Sequence, residues 1–390
     1  MDYKPELICF NTYMMSGAAS FWLNILSNDE EHFFEKKVVH IKAIPSDQTY
    51  LLNPFGVCLE TVFVVDKKDN ETTIQIAKRL NLEVSNSNGV ILANFTTELF
   101  TLHLHPKSNK TVYYICHDEI YVPDAIKYEF LIDVFVVHNP VFFDVLSQKM
   151  PKRLKDVHYL PYGVNVPQNF EKKINLYKPL NLVWLARITN QKGIYDIPKI
   201  DDSLRELNIE VNWTIIGNGP EKNNIVSLLN NRSNFTFLHP QDYKGVAEVL
   251  KLQDVFILPS RLDGLPVALL EAMSFGCVPI ISKFNEGIQK IITPEQGFVC
   301  EVGNNEQFVE NIILLHKDRA LLGAISSRNI DFIDKNYNIK IQAKKYFELF
   351  KKFELYKKKP RTKYIRYTSI HSIIPKFLSN FLIRLKSLKL

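Results

Sequence analysis

The chain has 390 residues, of which 46% are hydrophobic and 23% charged, with a net charge of +6. That length exceeds one ordinary core and suits two domains, each with a sizeable interior. No run approaches the roughly 18 apolar residues of a membrane span, and the opening MDYKPELICF lacks a secretory pattern.

The five cysteines (Cys9, Cys58, Cys116, Cys277 and Cys300) are scattered and never spaced as CxxC. This argues against a zinc site or a disulfide frame and suits reduced thiols in a cytoplasmic protein. The charge is uneven. No acid follows Glu354, whereas residues 355–390 carry ten lysines and arginines, which leaves the preceding body net acidic. A globally basic nucleic-acid binder would not be built this way, so no nucleic-acid partner is expected.

Strand-like runs open the chain: LICF (7–10), VVHIKAI (38–44), TVFVV (61–65), GVILAN (89–94), TVYYIC (111–116) and DVFVVH (133–138). Helical patterns lie among them at 18–27, 72–80 and 141–149. Short apolar strands alternating with helices predict βαβ units and a mostly parallel sheet. The proline-rich, aperiodic stretch that ends near residue 179 reads as a linker. A second alternating series follows: 180–187, 211–217, 235–238, 254–259, 278–282 and 297–300.

The expected architecture is therefore α/β, with two tandem Rossmann-like, doubly wound parallel-sheet domains. Residues 1–165 form the first domain, 166–179 the linker and 180–335 the second domain. Residues 336–354 form a helix returning towards the first domain, and 355–390 a basic tail. Ligands of such sheets sit beyond the carboxyl ends of the strands, so the expected site is the inter-domain cleft.

Residues 263–280, DGLPVALLEAMSFGCVPI, place Asp263 in a loop and Glu271 on the helix that follows. Pro266 is expected in the first turn, where its missing N–H costs nothing. The N–H groups of Gly264, Leu265 and the first turn, through Val267, would then face an anion or a sugar hydroxyl. The two acids would flank an extended ligand, each accepting paired hydrogen bonds from vicinal hydroxyls. A turn residue and a solvated helix residue explain this segment alone equally well.

LVWLARITNQKG ends a strand at Arg187 and places Lys192 five residues on, before Gly193. Two cations at a carboxyl edge suit a diphosphate, whose charge grows as it departs. Two exposed basic loop residues are the competing reading. In IIGNGPE, Gly217 and Gly219 follow a strand, as in any tight strand-to-helix turn.

Taken together, PYGVNV (161–166), Arg187 with Lys192-Gly193, IIGNGPE and LPSRLDGLPVALLEAMSFGCVPII (258–281) resemble the family 4 retaining glycosyltransferases (GT-B fold, glycosyl transferases group 1). The resemblance is specific over residues 160–300 and rests on pattern alone before them. It implies that Glu271 bonds the nucleotide ribose and Asp263 the donor sugar. It also implies that backbone at Gly264 to Val267 holds sugar and phosphate, that Arg187 and Lys192 bind pyrophosphate, and that the Gly217–Pro220 turn borders the base.

The chain departs from the family at three points. Asp263 stands where the family most often has Glu, Ser16-Gly17 stands for a paired-glycine loop, and Gln289 stands where Glu is frequent. Gly17 still permits close backbone approach at a helix start. His117, at the end of TVYYIC, is the candidate for a donor-sugar contact. A histidine packed at a domain edge with a satisfied ring nitrogen is the other reading.

The resemblance further implies a hexose-type sugar transferred with retention from a nucleotide-diphosphate sugar, as co-substrate, to a glycan or lipid-linked acceptor. Bacterial lipopolysaccharide, O-antigen or capsule synthesis is the expected setting, with no cofactor and no metal. An epimerase of the same architecture and a non-catalytic nucleotide-sugar binding protein are the alternatives. The tail spaces Phe377, Leu378, Phe381, Leu382, Leu385 and Leu388 helically among cations. It suits an anionic membrane surface, or a helix packed on the body.

Overall fold

The computed structural model describes residues 4–13, 17–44, 56, 58–66, 71–105, 109–239 and 243–358. The chain clusters into two compact units. One comprises residues up to 138, 142–160 and those from 343 on; the other comprises 139–141 and 161–342. The amphipathic tail beyond Lys358 lies outside the described residues.

In chain order the first unit contains β1 (Glu6–Thr12), α1 (Gly17–Ser27), β2 (Glu35–Ile44), β3 (Leu59–Asp66) and α2 (Thr73–Leu80). It continues with β4 (Gly89–Ala93), α3 (Thr96–Leu104), β5 (Lys110–Cys116), α4 (Val122–Lys127), β6 (Val134–Val137), α5 (Pro140–Lys149) and β7 (Val157–Tyr159). All seven strands are parallel, in the order β3-β2-β1-β4-β5-β6-β7. The order reverses between β1 and β4, the place at which such sheets present ligand sites.

Strands β4, β5 and β6 are buried along their whole length, as in sheets covered on both faces. Ile8, Phe10, Ile91, Tyr114, Phe135 and Phe142 fill one interior. The other face carries a row of polar side chains near the strand ends: His40, Asn11, Asn94, His117 and His138, all buried. Phe21 of α1 lies over it, its ring 5.7 Å from His117 and 4.8 Å from His138.

The second unit contains β8 (Leu180–Leu185), α6 (Ile197–Glu206), β9 (Val211–Ile216), α7 (Lys222–Leu229), β10 (Phe235–Leu238), α8 (Tyr243–Leu250) and β11 (Val255–Leu258). There follow α9 (Val267–Ser274), β12 (Val278–Ser282), α10 (Ile288–Ile291), β13 (Phe298–Cys300), α11 (Asn305–Lys317) and α12 (Arg319–Tyr337). Its six parallel strands run β10-β9-β8-β11-β12-β13, with the reversal at β8 and β11. Asp201, fully buried, accepts from Trp213 Nε1 (2.9 Å), Asn234 (2.8 Å) and Arg232 (2.7 Å), tying α6 to the sheet beneath it.

Beyond these, α13 (Ile339–Lys351) and α14 (Phe353–Tyr356) close the described chain. The helix expected from 336 instead begins at Ile339, because Asn338 is extended. Asn338 pairs with Val164 in an isolated bridge and caps Lys340 N–H at 3.0 Å. From residue 343 on, the helix packs on the first unit. Tyr346 and Phe350 are fully buried there, and Tyr113 Oη donates to Leu349 O (3.0 Å). Among the described residues no helix is long and apolar enough to cross a membrane.

Candidate active site

The second unit gathers its chemistry on the loops leaving β8, β9 and β11. After β8 the chain runs Ala186-Arg187-Ile188 against the loop after β9, with Ala186 N–H donating to Ile216 O (3.2 Å) and Ile188 N–H to Asn218 O (2.8 Å). The approach is close enough to require glycine. Gly217 has φ +149, and a Cβ there would stand 2.0 Å from Ala186 O; one on Gly219 would stand 2.3 Å from Ile188 O. The GxG thus acts as a tight turn that fixes the Arg187 loop. Arg187 itself is exposed at this edge.

The loop after β11 is pinned to the same place. Gly193, at φ +75, lies against the backbone of Pro259, where a Cβ would be 2.0 Å from the carbonyl oxygen. Arg261 N–H donates to Gln191 O (2.9 Å), and the Arg261 guanidinium pairs with buried Asp196 at 2.8 Å. Trp184 Nε1 donates to Lys192 O (3.3 Å). These contacts bring Lys192 onto Asp263: its ammonium donates to the Asp263 carboxylate and to Leu262 O (3.3 Å). The cation and the first acid are therefore one pair.

Helix α9 starts at Val267, with Pro266 as its N-cap rather than inside the first turn. Pro266 has ψ 121, an extended value that a residue within the turn would not adopt. The Gly264 N–H, expected to be open to a ligand, donates to Asp263 Oδ1 at 3.1 Å. Leu265, Pro266 and Val267 are buried. Asn285, not singled out in the sequence, holds this loop: its amide donates to Asp263 O (2.9 Å) and Gly264 O (2.7 Å). Its Oδ1 accepts from Gly287 and Ile288 N–H. An Asn after a strand and two residues before a glycine is a turn signal that could have flagged it.

Glu271 is half-buried on α9, and loss of water around its carboxyl pushes it up to about 7. No side-chain partner neutralises it among the described residues. A carboxyl so placed favours ligand hydroxyls that donate to its ionised form. Tyr195 Oη donates to Glu221, just past the GxG turn, and Asn224 donates to the same carboxylate at 3.0 Å.

In the first unit, Gly17 opens α1 and is exposed. His117 is buried at the end of β5, and its Nε2 lies 2.9 Å from Asn94 Oδ1, which also accepts from Trp22 Nε1 at 3.1 Å. Asn94 uses its amide nitrogen on Phe10 O (2.6 Å). Two donors on one oxygen mark His117 as the neutral Nε2–H tautomer. Burial, and then His138, push its proton affinity well below the ordinary histidine range. Burial and a bonded ring nitrogen are the features of the second reading. Among the described residues no cluster of three or more His, Cys, Asp or Glu could hold a metal ion.

Two doubly wound parallel sheets, the second with cations and acids at its switch point, define the GT-B class of fold. Residues 167–331 match the glycosyl transferases group 1, and that segment belongs to this family. The N,N'-diacetylbacillosaminyl-diphospho-undecaprenol alpha-1,3-N-acetylgalactosaminyltransferase of Campylobacter jejuni is 26% identical over 186 residues, 46% of this chain and 47% of that protein. The N-acetyl-alpha-D-glucosaminyl L-malate synthase of Bacillus anthracis is 32% identical over 143 residues, 35% of this chain and 37% of that enzyme. The chain thus spans less than half the length of these relatives. The crystal structure of Anabaena Alr3699/HepE in complex with UDP superposes with a TM-score of 0.67 over 89% of this chain and 99% of that one, at 13% identity.

Proposed function

We propose that the protein is a retaining glycosyltransferase that moves a hexose-type sugar from a nucleoside-diphosphate sugar to a hydroxyl of a glycan or lipid-linked acceptor. The observation that carries this is the convergence of Arg187, Lys192, Asp263 and α9 at one switch point. The relatives support it: one is named for transfer to a diphospho-undecaprenol-linked sugar, and the HepE structure holds UDP. A UDP-sugar is accordingly the first donor to test. A cytoplasmic setting in polysaccharide synthesis fits both.

In this reading Glu271 accepts from the ribose hydroxyls and Asp263 from the sugar. Arg187 and Lys192 meet the diphosphate, with Lys192 exchanging part of its bond to Asp263 for a phosphate oxygen. The bond from the anomeric carbon to the β-phosphate oxygen breaks, and its electron pair stays with the phosphate. The acceptor hydroxyl attacks the same face, and its proton passes to the departing phosphate oxygen. Fixed cations stabilise that charge more in the transition state than in the bound donor, so no metal is required. Activity abolished by a chelator and restored by a divalent ion would overturn that part. Gly17 at the head of α1 is proposed to bind the nucleotide sugar; His117 acts through Asn94 and Trp22, as a support.

The test is nucleotide release from UDP-, GDP- and ADP-sugars, by wild type and by Glu271→Ala and Lys192→Ala. Slow hydrolysis of one donor, lost in both variants, is expected. Folded protein that neither releases nor binds any nucleotide would sink the assignment. Nucleotide release that increases with an acceptor would separate the transferase from an epimerase and from a non-catalytic binding protein.

A further inference from the structure

We propose that Asn285 is a positioning residue for transfer: its carboxamide fixes the two peptides that flank Gly264, and with them the N–H groups offered to the donor's phosphate. This role rests on the donor reading above, and it names what holds that site in shape.

Asn285 stands between β12 and α10, with both ends of its carboxamide in use. The Nδ2 group donates to Asp263 O (2.9 Å) and Gly264 O (2.7 Å). The Oδ1 atom accepts from Gly287 N–H (2.8 Å), Ile288 N–H (3.0 Å) and Asn139 Nδ2 (3.2 Å). Asn139, fully buried just before α5, clusters with the second unit, and its own Oδ1 accepts from Val141 N–H (2.9 Å). Gly287 makes room for it, since a Cβ there would stand 2.0 Å from Asn139 Oδ1. Three donors thus meet the Asn285 oxygen and two carbonyls meet its nitrogen. A flipped amide would set oxygen against both carbonyls and NH2 against three donors, so a single orientation satisfies the network.

In a trans peptide the C=O and N–H point in opposite directions. Holding Asp263 O and Gly264 O on one side therefore turns Gly264 N–H and Leu265 N–H to the other. Gly264 N–H closes on Asp263 Oδ1 (3.1 Å), beside the Oδ2 that Lys192 takes. Leu265 N–H has no partner among the described residues and adjoins the orphan N–H groups that open α9. Without the clamp, the freedom of a glycine backbone would let both peptides rotate and carry these donors off the phosphate. A misplacement of about 1 Å at such a point costs on the order of 100-fold in rate.

The experiment compares donor hydrolysis and melting curves for wild type, Asn285→Asp, Asn285→Ala and Asn285→Thr. Asn285→Asp keeps an oxygen for Gly287 and Ile288 and loses the donor for the two carbonyls, so it separates the clamp from the cap. At about pH 8 it should lose turnover by about 100-fold, as should Asn285→Ala. Towards about pH 5 Asn285→Asp alone should recover, because its protonated carboxyl donates again. Asn285→Thr, whose hydroxyl both donates and accepts, should keep more turnover than Asn285→Ala at every pH, and it serves if the carboxylate disturbs folding. Glu271, Asp263, Lys192 and the Lys283–Glu286 pair (3.0 Å) are the same in all four proteins, so each rate is read relative to wild type at the same pH. Asn285→Asp as active as wild type throughout would make Asn285 a cap for α10 alone and overturn the proposal. Asn285→Asp and Asn285→Thr no better than Asn285→Ala at any pH would overturn it too. Wild type that releases nucleotide from no donor would instead sink the donor reading, and this role with it.

Discussion

The Lys192 ammonium donates to the Asp263 carboxylate across 71 residues of sequence. The two side chains are mostly buried, at 23% and 18% exposure, so the pair is shielded and its members respond to one another. A phosphate that takes Lys192 must compete with Asp263. Lys192→Ala should lower donor hydrolysis about 100-fold or more, and Asp263→Ala should do likewise. The double variant should lose less than the product of the two, because residues in one pair couple. Turnover measured on the four proteins reads that coupling; full additivity would separate their roles.

Glu271 is pushed up to about 7 from an ordinary value of 4.5. An acid whose folded value is raised holds a proton that the unfolded chain has released. Stability therefore falls as pH rises between those values, by as much as about 3 kcal/mol. Glu271→Gln should remove this decline and be the more stable protein at pH 8, as judged by urea midpoints. Nucleotide affinity should move the other way: in wild type it should rise as pH passes through about 7, and in Glu271→Gln it should be weaker and flat. Calorimetric titration across pH tests it, and an affinity independent of pH in both would remove Glu271 from the ribose.

Gly217 and Gly193 adopt backbone that other residues avoid, with a carbonyl oxygen where a Cβ would be. Gly217→Ala and Gly193→Ala should each cost about 2 kcal/mol or more. Thermal unfolding gives the cost. The accompanying loss of donor binding should exceed that of a core change equal in stability, because both glycines position the loops bearing Arg187 and Lys192.

His138 is buried, and burial pushes it down to about 3. Its Nδ1 donates to Leu160 O (2.9 Å), which also accepts from Tyr346 Oη (2.7 Å). A base whose folded value is depressed leaves the unfolded chain holding the extra proton. Stability should fall as pH drops below 6.5 towards about 3, by up to about 1.4 kcal/mol per pH unit for each such histidine. His138→Asn keeps a donor for Leu160 and cannot charge. It should be less stable near neutrality and flatter on the acid side, which urea midpoints on both sides of pH 6 would show.

The sheets were legible because strands buried on both faces read as unbroken apolar runs, such as TVYYIC and DVFILP. The elements that escaped were short or mixed. VHY at β7 has three residues, and VPDAIK at α4 has six. TTELFTLHL at α3 keeps no clean stripe because Glu98 turns inward, donated to by Phe95 N–H at 2.7 Å. In the site, residue types and spacing pointed to loops that the fold brings to one sheet edge. Which side chains would meet did not follow from them. The Lys192–Asp263 pair depends on Gly193 passing against Pro259, and the hold of Asn285 on Gly264 depends on β12 lying beside β11. Those are distances that chain spacing does not encode.

The first unit is built from stretches of chain on either side of the second. Residues 343–356 supply the helices that bury Tyr346 and Phe350 against its sheet, after the whole second unit has been spelled out. Synthesis on the ribosome thus releases the two units in inverted order of completion. The second can fold as soon as its last helix emerges, while the first waits with a bare apolar sheet face for helices made after the second unit. A gene fragment ending where the family segment ends, at residue 331, would leave that face bare for good.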